Sequence, residues 1–114
     1  MFNDFVLSNY AFDRLPKTFV TIKTPAGVSY DTITHRQVAT YTETQTYAYV
    51  GTWDVKTLQA LSTTNNKITS TTLKVIVRGV DVSTDSIIVI DGNEYKVAFL
   101  RKRGNLTILG VNPS

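Results

Sequence analysis

Residues 72–100, TLKVIVRGVDVSTDSIIVIDGNEYKVAFL, contain three runs with the pattern of β-strands and a strong turn signal between two of them. In residues 73–78 apolar side chains recur at every second position, which indicates a strand with one buried face. Residues 87–90 are all apolar, which favours a strand buried on both faces. Asp91-Gly92 then supplies the positive φ that a tight hairpin needs, and residues 94–100 form the returning strand. The stretch therefore predicts a β-hairpin preceded by a third strand.

The composition agrees with one β-rich domain. At 114 residues the chain is long enough for a domain with its own core and too short for two, so we treat residues 1–114 as one unit. Thr occurs 18 times. Thr and the other β-branched and aromatic residues favour strands, because they pack well on a pleated surface.

The sequence lacks the residues that several kinds of site require. It has no Cys, which excludes disulfides, thiolate metal sites and a Cys nucleophile. His35 is the sole His, and Asp31 is the one acid close to it in sequence, whereas metal sites and acid–base catalysis draw on clusters of such groups. There is no glycine-rich phosphate loop and no nucleophile elbow. We therefore predict no catalytic, metal or cofactor-binding residues and no enzymatic activity.

Charge and hydropathy limit the partners. No apolar run approaches the length of a membrane span, and residues 1–12 lack the basic start and apolar core of a signal peptide. The net charge of +3 is lower than is usual for proteins whose whole surface binds DNA. We expect no membrane partner, and the small excess of basic over acidic residues is only a weak indication of nucleic-acid binding.

Residues 1–15 are compatible with two structures. Their apolar residues have the i, i+3, i+4, i+7 spacing of a short amphipathic helix, and an extended arm lying on a neighbouring subunit fits equally well. Pro16 ends either structure, because the residue before a proline is pushed out of the α region. If the segment contacts another subunit, the interface residues would be Phe2, Phe5 and Val6.

The first half of the chain predicts further strands. Residues 18–23 alternate cleanly, residues 24–27 (TPAG) have the composition of a turn, and residues 28–33 resume extended character. Residues 34–50 are compatible with one long twisted strand, or with two strands joined by a loop around residues 42–46. We favour the second interpretation.

Residues 51–61 contain the other helical candidate, with Asp54 as its N-cap, although a strand followed by a turn is also possible. Residues 62–72, STTNNKITSTT, are highly polar and predict an exposed or partner-facing loop. A basic hairpin tip at residues 101–103 and a closing strand at residues 106–111 follow the central stretch.

Short strands separated by turn residues at this spacing are typical of small barrels and sandwiches. The sequence therefore predicts an all-β fold, a small β-barrel or sandwich with about six to eight short strands. It also predicts a C-terminal meander and at most one or two short helices.

The second half of the chain has a recognisable order of elements. A strand ending in Arg is followed by the polar connector VSTD at residues 82–85, a short apolar strand at residues 86–90, an Asp-Gly turn and Tyr-x-Val at residues 95–97. This succession resembles the head–tail joining proteins of tailed bacteriophages, also called head-completion or stopper proteins. In that family a similar order forms the last half of a compact β-barrel. The resemblance covers about residues 70–111.

The resemblance implies a structural virion protein. Such proteins form a homo-oligomeric ring below the portal and its adaptor, close the DNA channel after packaging, and present the surface to which the tail docks. The implied partners are the portal and adaptor proteins, the tail proteins, and double-stranded DNA that passes the channel without sequence-specific contacts. The implied location is the virion, assembled in the host cytoplasm. A ring needs two different patches on each subunit, which edge strands and loops can supply.

In this family a loop that projects into the lumen closes the channel, and two segments of this chain fit that role. One is residues 62–72. The other, which we favour, comprises Thr40, Tyr41, Thr42, Glu43, Thr44, Gln45, Thr46 and Tyr47. Neutral polar side chains suit a lumen that passes DNA, since strong phosphate binding would arrest the polymer. The candidates for a contact with DNA or with an acidic partner are Arg101, Lys102 and Arg103.

Two other functions are compatible with the sequence. A tail terminator, or another ring protein on the tail side of the virion, would share the β-rich, ring-forming character. A small nucleic-acid-binding module of the OB or SH3-like type would bind single strands with a steep salt dependence, and for that function the net charge is low.

Overall fold

The computed structural model describes residues 9–114, and these residues are mostly β-strand. Two helices and six strands follow one another along this part of the chain. Their bounds are α1 Asn9–Arg14, β1 Thr18–Asp31, β2 Arg36–Thr52, α2 Val55–Ser62, β3 Leu73–Arg78, β4 Ile87–Ile90, β5 Asn93–Arg103 and β6 Leu106–Pro113. The predicted all-β class with two short helices is confirmed.

The six strands close into a barrel in which all neighbours are antiparallel, in the order β1-β2-β3-β6-β5-β4. β4, β5 and β6 are successive neighbours and form the predicted C-terminal meander. β3 pairs with β6 and lies across the barrel from β4, which follows it in sequence. Residues 79–86 therefore cross the end of the barrel, and Val82 of this connection is buried in the interior core.

The hairpin between β4 and β5 has the geometry that its sequence predicts. Asp91 (φ 51°) and Gly92 (φ 81°) both have positive φ, as a type I′ turn requires, and Ile90 pairs with Asn93 across the turn. The twist of this turn type matches that of the flanking strands. This match explains why Asp-Gly at this position is informative about the fold.

Aliphatic side chains from all six strands fill the interior of the barrel. The buried members of this interior core are Val20, Ile22, Ala48, Val75, Val77, Val82, Ile88, Ile90, Val97, Leu109 and Val111. Within single strands they recur at every second residue, as the pleat requires. Each such side chain stabilises the fold by about 1.5–3 kcal/mol on burial, so this core is the main source of stability.

A second apolar cluster, here called the outer core, lies outside the barrel wall and is covered by both helices. Its buried members are Phe12, Trp53, Ile76, Leu106 and Ile108. Leu58 and Leu61 of α2 pack against it. β3 is therefore buried on both faces, whereas its alternation indicated one. The second buried face is not visible in the local alternation, because residues distant in sequence supply its cover.

The helix at residues 55–62 begins as its sequence predicts. Asp54 is the N-cap, and its Oδ2 accepts a hydrogen bond from the backbone N–H of Thr57 at 3.3 Å. Of the segment at residues 1–15, Asn9–Arg14 form helix α1. Phe2, Phe5 and Val6 lie outside the described residues.

Two predictions for the first half of the chain are wrong. Residues 24–27 are not a turn, because β1 continues to Asp31 and accommodates its Pro and Gly in a β-bulge. Residues 42–46 are not a loop, because β2 is a single strand from Arg36 to Thr52. In both places the partner strand holds the segment extended, and pairing between distant residues is not visible in local composition.

Gly110 of β6 is a position that tests the outer core. A Cβ here would overlap the ring of Phe99, its cross-strand partner, whose ring centroid lies 5.2 Å from that of Trp53. We expect Gly110→Ala to lower the free energy of unfolding by about 1–3 kcal/mol, because the ring must leave its packing position. Urea unfolding followed by the fluorescence of Trp53, the sole Trp, measures this change.

The matched background is Phe99→Leu, which removes the ring that the new methyl group meets. In that background Gly110→Ala should cost at least about 1 kcal/mol less, as expected for two residues in direct contact. An equal cost in both backgrounds would show that the ring of Phe99 does not set the requirement for glycine.

Candidate functional site

Beyond Lys23, β1 and β2 leave the barrel and pair only with each other. The pairing of β1 with β4 ends at Lys23 and Ile87, and that of β2 with β3 begins at Tyr49 and Ile76. Residues 24–42, here called the arm, form a projecting two-stranded ribbon. Eight extended residues span about 26 Å. The molecule accordingly measures 57 Å in its longest dimension and 30 and 25 Å in the others.

A β-bulge at Ala26 determines which side chains share a face of the arm. Pro25 pairs with Tyr41 and Gly27 pairs with Thr40, so Ala26 is an extra residue on β1. Because side chains alternate between the faces of a strand, one extra residue transfers every later side chain of β1 to the opposite face.

As a result, Val28 and Tyr30 lie on the same face as Tyr41. Val28 pairs with Ala39, which is two residues from Tyr41 along β2. This face, here called the outer face of the arm, continues the outside of the barrel wall. The bulge thus places Val28, Tyr30 and Tyr41 on one side of the ribbon, whereas Val38 lies on the other.

The arm exposes these apolar side chains with no core beneath them. Ile33 at the tip is 88% exposed, Val28 is 65% exposed and Tyr30 is 59% exposed. Val38 and Tyr41 are exposed as well. An isolated two-stranded hairpin is at best marginally stable, and exposed apolar patches of this kind mark interaction sites.

Charged groups on the arm are confined to its tip. Within residues 24–42, the one acidic residue is Asp31 and the one Lys or Arg is Arg36, with His35 next to it. Both long edges of the ribbon offer backbone N–H and C=O groups. Lys side chains, a common protection against pairing with another chain, do not occur on the arm.

Local hydrogen bonds shape the tip. The Oδ1 atom of Asp31 accepts from the backbone N–H of Ile33 at 2.9 Å and of Thr34 at 3.4 Å. His35 has a φ of 56°, and its Nδ1 lies 3.1 Å from the hydroxyl oxygen of Tyr30. The hydrogen bond from the Ile33 backbone, followed by those from Thr34, lowers the pKa of Asp31 from its ordinary value of 3.8.

A pair of aromatic rings extends the apolar surface to the barrel wall. Phe19 and Tyr47 are cross-strand partners whose ring centroids lie 5.3 Å apart in an edge-to-face arrangement. Both rings are exposed. They lie on the outside of the wall, so exposed aromatic groups occur from the base of the arm towards its tip.

The structure changes the interpretation of the segment that comprises Thr40, Tyr41, Thr42, Glu43, Thr44, Gln45, Thr46 and Tyr47. It is the middle of β2 and not a loop. Its first three residues belong to the arm, and the other five pair with β1 in the barrel wall. What projects is the whole hairpin around this segment. This projection is not visible in the sequence, because apolar alternation predicts a strand equally well with or without a core beside it.

The polar segment at residues 62–72 is held against the barrel. The side chain of Asn112 accepts a hydrogen bond from Thr72 and donates one to the carbonyl oxygen of Lys67, both at 2.6 Å. Asn65 donates to the carbonyl oxygen of Ala98 at 3.1 Å, at the bulge in β5, and Ile68 is buried. The segment is largely exposed, as its sequence predicts, but many contacts fix it in place.

The three basic residues at positions 101–103 lie at the end of β5, and the turn itself is formed by Gly104 and Asn105. All three are exposed. β5 contains a bulge at Ala98, beyond which Arg101 and Arg103 share the outer face of the strand with Phe99, whereas Lys102 lies on the other face. The three cations therefore do not form a single basic hairpin tip, because Lys102 faces away from Arg101 and Arg103.

Two open grooves flank the barrel, with volumes of about 620 and 570 Å³. Both are lined mainly by Thr, Ser, Asn and aliphatic side chains, and the larger also contains Lys67 and Lys96. Within residues 9–114, no three His, Asp or Glu side chains lie close enough together to hold a metal ion. In the same part of the chain, neither helix has the length and hydropathy needed to cross a bilayer.

No protein-family model matches this chain, and no curated protein matches it at a significant level. Among solved structures, the chain is similar to the solution structure of protein SF1141 from Shigella flexneri 2a. The TM-score is 0.66 and the sequence identity 18%, and the match covers 89% of this chain and 94% of that one. Similarity at this identity shows a shared fold and carries no information about activity.

The arm can be removed without touching either core. We expect replacement of residues 25–41 by Asn-Gly to leave a folded barrel, because Thr24 and Thr42 are cross-strand partners that a two-residue turn can join. The melting temperature should change by less than about 5 °C, which is about 1 kcal/mol for a domain of this size. Circular dichroism and thermal unfolding measure this. An unfolded product would mean that the arm is part of the folding unit.

The tip has its own pH dependence. Because the pKa of Asp31 is lowered in the folded protein, its hydrogen bonds are present above pH 3.8 and are lost as the pH falls through the lower, folded value. In an NMR titration of the side-chain carboxyl carbon, the midpoint of Asp31 should be lower in the native protein than in urea. Equal midpoints would contradict the hydrogen bonds at the tip.

Proposed function

We propose that this protein is a structural component of the head-to-tail connector of a tailed bacteriophage. In this proposal it forms a ring that closes the DNA channel after packaging and provides the surface to which the tail docks. The observation that carries the proposal is the arm, a long ribbon on which Val28, Tyr30 and Ile33 are more than half exposed. The resemblance of residues 70–111 to head-completion proteins supplies the context.

The arm supports assembly rather than catalysis. Ile33, Val28 and Tyr30 are more than half exposed, and a partner that covered them would remove apolar area from water. In the barrel every strand has two neighbours, whereas each strand of the arm pairs only with the other, so the arm offers a free strand edge on both of its sides. Copies of the chain placed around an axis would each bring one arm to a common centre.

The arm, which contains the first three residues of the favoured candidate at residues 40–47, fits the role of channel-closing element better than residues 62–72. Residues 62–72 are held by hydrogen bonds from Asn65 and Asn112, so releasing them would break several contacts. The arm contributes no buried residue to either core, and its base is held by one side-chain contact, between the hydroxyl oxygens of Thr24 and Ser86 at 3.2 Å. Its strands are nearly uncharged, and such a surface would meet passing DNA with little attraction to phosphate. We therefore assign the channel element to residues 24–42, in place of residues 40–47.

The remaining parts of the proposal follow from the resemblance. The partners are the portal and adaptor proteins on one side, the tail proteins on the other, and duplex DNA in the lumen. The protein acts in the virion, is assembled in the host cytoplasm, and has no catalytic role.

Imaging of the purified protein by electron microscopy, alone and with a portal–adaptor complex, tests the proposal. We expect closed rings, at least in the presence of the complex. Particles assembled with the chain lacking residues 25–41 should package DNA and then lose it, since the ring would form without its closing element. A matched control is Thr63→Ser, a conservative change in the segment held against the barrel, which should retain DNA.

Two results would contradict the proposal. The first is a protein that stays monomeric at high concentration and ignores the portal–adaptor complex. The second is a set of particles that retain their DNA fully without the arm, which would separate this chain from channel closure even if it forms rings.

A further inference from the structure

Helix α1 lies among basic side chains on the outside of the barrel. Arg14 and Lys17 come from α1 and the residues after it, Arg78 ends β3, and Arg101 and Arg103 lie on the outer face of β5. These five residues, with Asp13, are here called the basic surface. It is a different surface from the arm.

The packing of Phe12 brings these cations together. Its ring is 3% exposed and belongs to the outer core with Leu106. The Nζ atom of Lys17 lies 4.5 Å, and the Cζ atom of Arg78 5.0 Å, from the centroid of this ring. The two cationic groups are therefore within about 10 Å of each other on a single aromatic side chain.

The strand register brings the β5 cations to the other side of the same site. Leu106 of β6 pairs with Arg78 on β3 and with Arg103 on β5. Two strand spacings separate the backbones of Arg78 and Arg103, a distance of about 10 Å. Arg101 lies two residues further along the same face of β5. Cations thus lie on both of the strands that neighbour β6 at Leu106, a member of the same outer core as Phe12.

The basic surface concentrates the charge of the protein. Within residues 9–114, its five cations and one carboxylate give it a net charge of +4, while the charges of the other seven cations and seven carboxylates cancel. Arg78 is bonded to Asp13 through Nη1 at 2.7 Å, and a guanidinium group has five N–H donors, so others remain for a further anion. The Nζ atom of Lys17 donates to the backbone carbonyl oxygens of Phe12 at 2.6 Å and Leu15 at 2.8 Å, and an ammonium group has a third N–H donor for an anion.

We propose that the basic surface binds the phosphate backbone of double-stranded DNA without regard to sequence. Four of its five cations are Arg, whose planar fork can hold phosphate oxygens in pairs. The aromatic ring at its centre, Phe12, is buried, so the part of this surface that residues 9–114 form offers little of the apolar anchor on which protein partners usually depend. Phosphate contacts require only charge and hydrogen-bond donors. The choice of DNA as the polyanion rests on the proposed function.

Fluorescence anisotropy with a labelled 20-base-pair duplex, between 25 and 200 mM NaCl, tests this inference on the full chain. If the protein contacts about four phosphates, the logarithm of the association constant should fall with the logarithm of the NaCl concentration with a slope of about −3.6. The double variant Arg101→Gln, Arg103→Gln should reduce the magnitude of the slope by about 2 and weaken binding at 50 mM NaCl about tenfold or more.

The matched control is Lys67→Gln, Lys96→Gln, which makes the same change in net charge in the larger groove. It should bind DNA within about twofold of the parent at the same salt concentration. Equal losses in the two double variants would overturn the inference, because binding would then follow net charge alone. Arg78→Gln is a further variant, and unchanged DNA binding by folded Arg78→Gln would count equally against the proposed surface.

Two comparisons separate this inference from its alternatives. If poly-glutamate binds as tightly as DNA of equal charge, and Arg101→Gln, Arg103→Gln weakens both alike, the surface recognises an acidic protein and the inference fails. Ring formation is measured separately by electron microscopy. If the protein forms rings but does not bind DNA, the inference is wrong and the proposed function stands. Salt-dependent DNA binding by a protein that never forms rings would support the inference and count against the proposed function.

Discussion

The burial of β3 on both faces is the constraint on which the rest of the structure depends. Val75 and Val77 fill the interior core, and Ile76 between them belongs to the outer core. A strand in this position cannot be stable in a bare barrel, because its outward apolar side chains would face water. The two helices supply the missing cover. The barrel wall and the helices are therefore one unit, joined through a single short strand.

The arm lies outside this arrangement, and the contrast separates stability from function in this chain. Its apolar side chains are as large as those of the cores, but nothing in residues 9–114 covers Val28, Tyr30 or Ile33. Folding of the barrel gains little from them, and their exposure favours association with other chains. The bulge at Ala26 strengthens this interpretation, because it transfers Val28 and Tyr30 to the face that also carries Tyr41.

The structural features that could be predicted from the sequence are those that residues close together in the chain determine. Asp91-Gly92 forms the expected type I′ turn and Asp54 caps α2, because each feature depends on dihedral angles and hydrogen bonds within a few residues. The turn expected at residues 24–27 became a bulge, and the loop expected around residues 42–46 became strand, because β1 and β2 hold each other extended over their whole length. The same non-local pairing hid the arm: its alternation is that of any strand, and only the positions of the other strands show that it projects.

The direction of the chain places both proposed surfaces at one end of the molecule. β3 ends at Arg78, and the antiparallel β2 extends into the arm beyond the pairing of Tyr49 with Ile76, so the arm leaves the barrel near the residue that anchors the basic surface. Thr24 and Thr42 at the base of the arm line a small cavity with residues 79–81, directly after Arg78. In the proposed ring, an orientation that points the arms at the DNA therefore brings the basic surfaces to the same end. The weakly charged arm can then occupy the lumen while phosphate contacts form outside it, where they hold DNA without obstructing its passage.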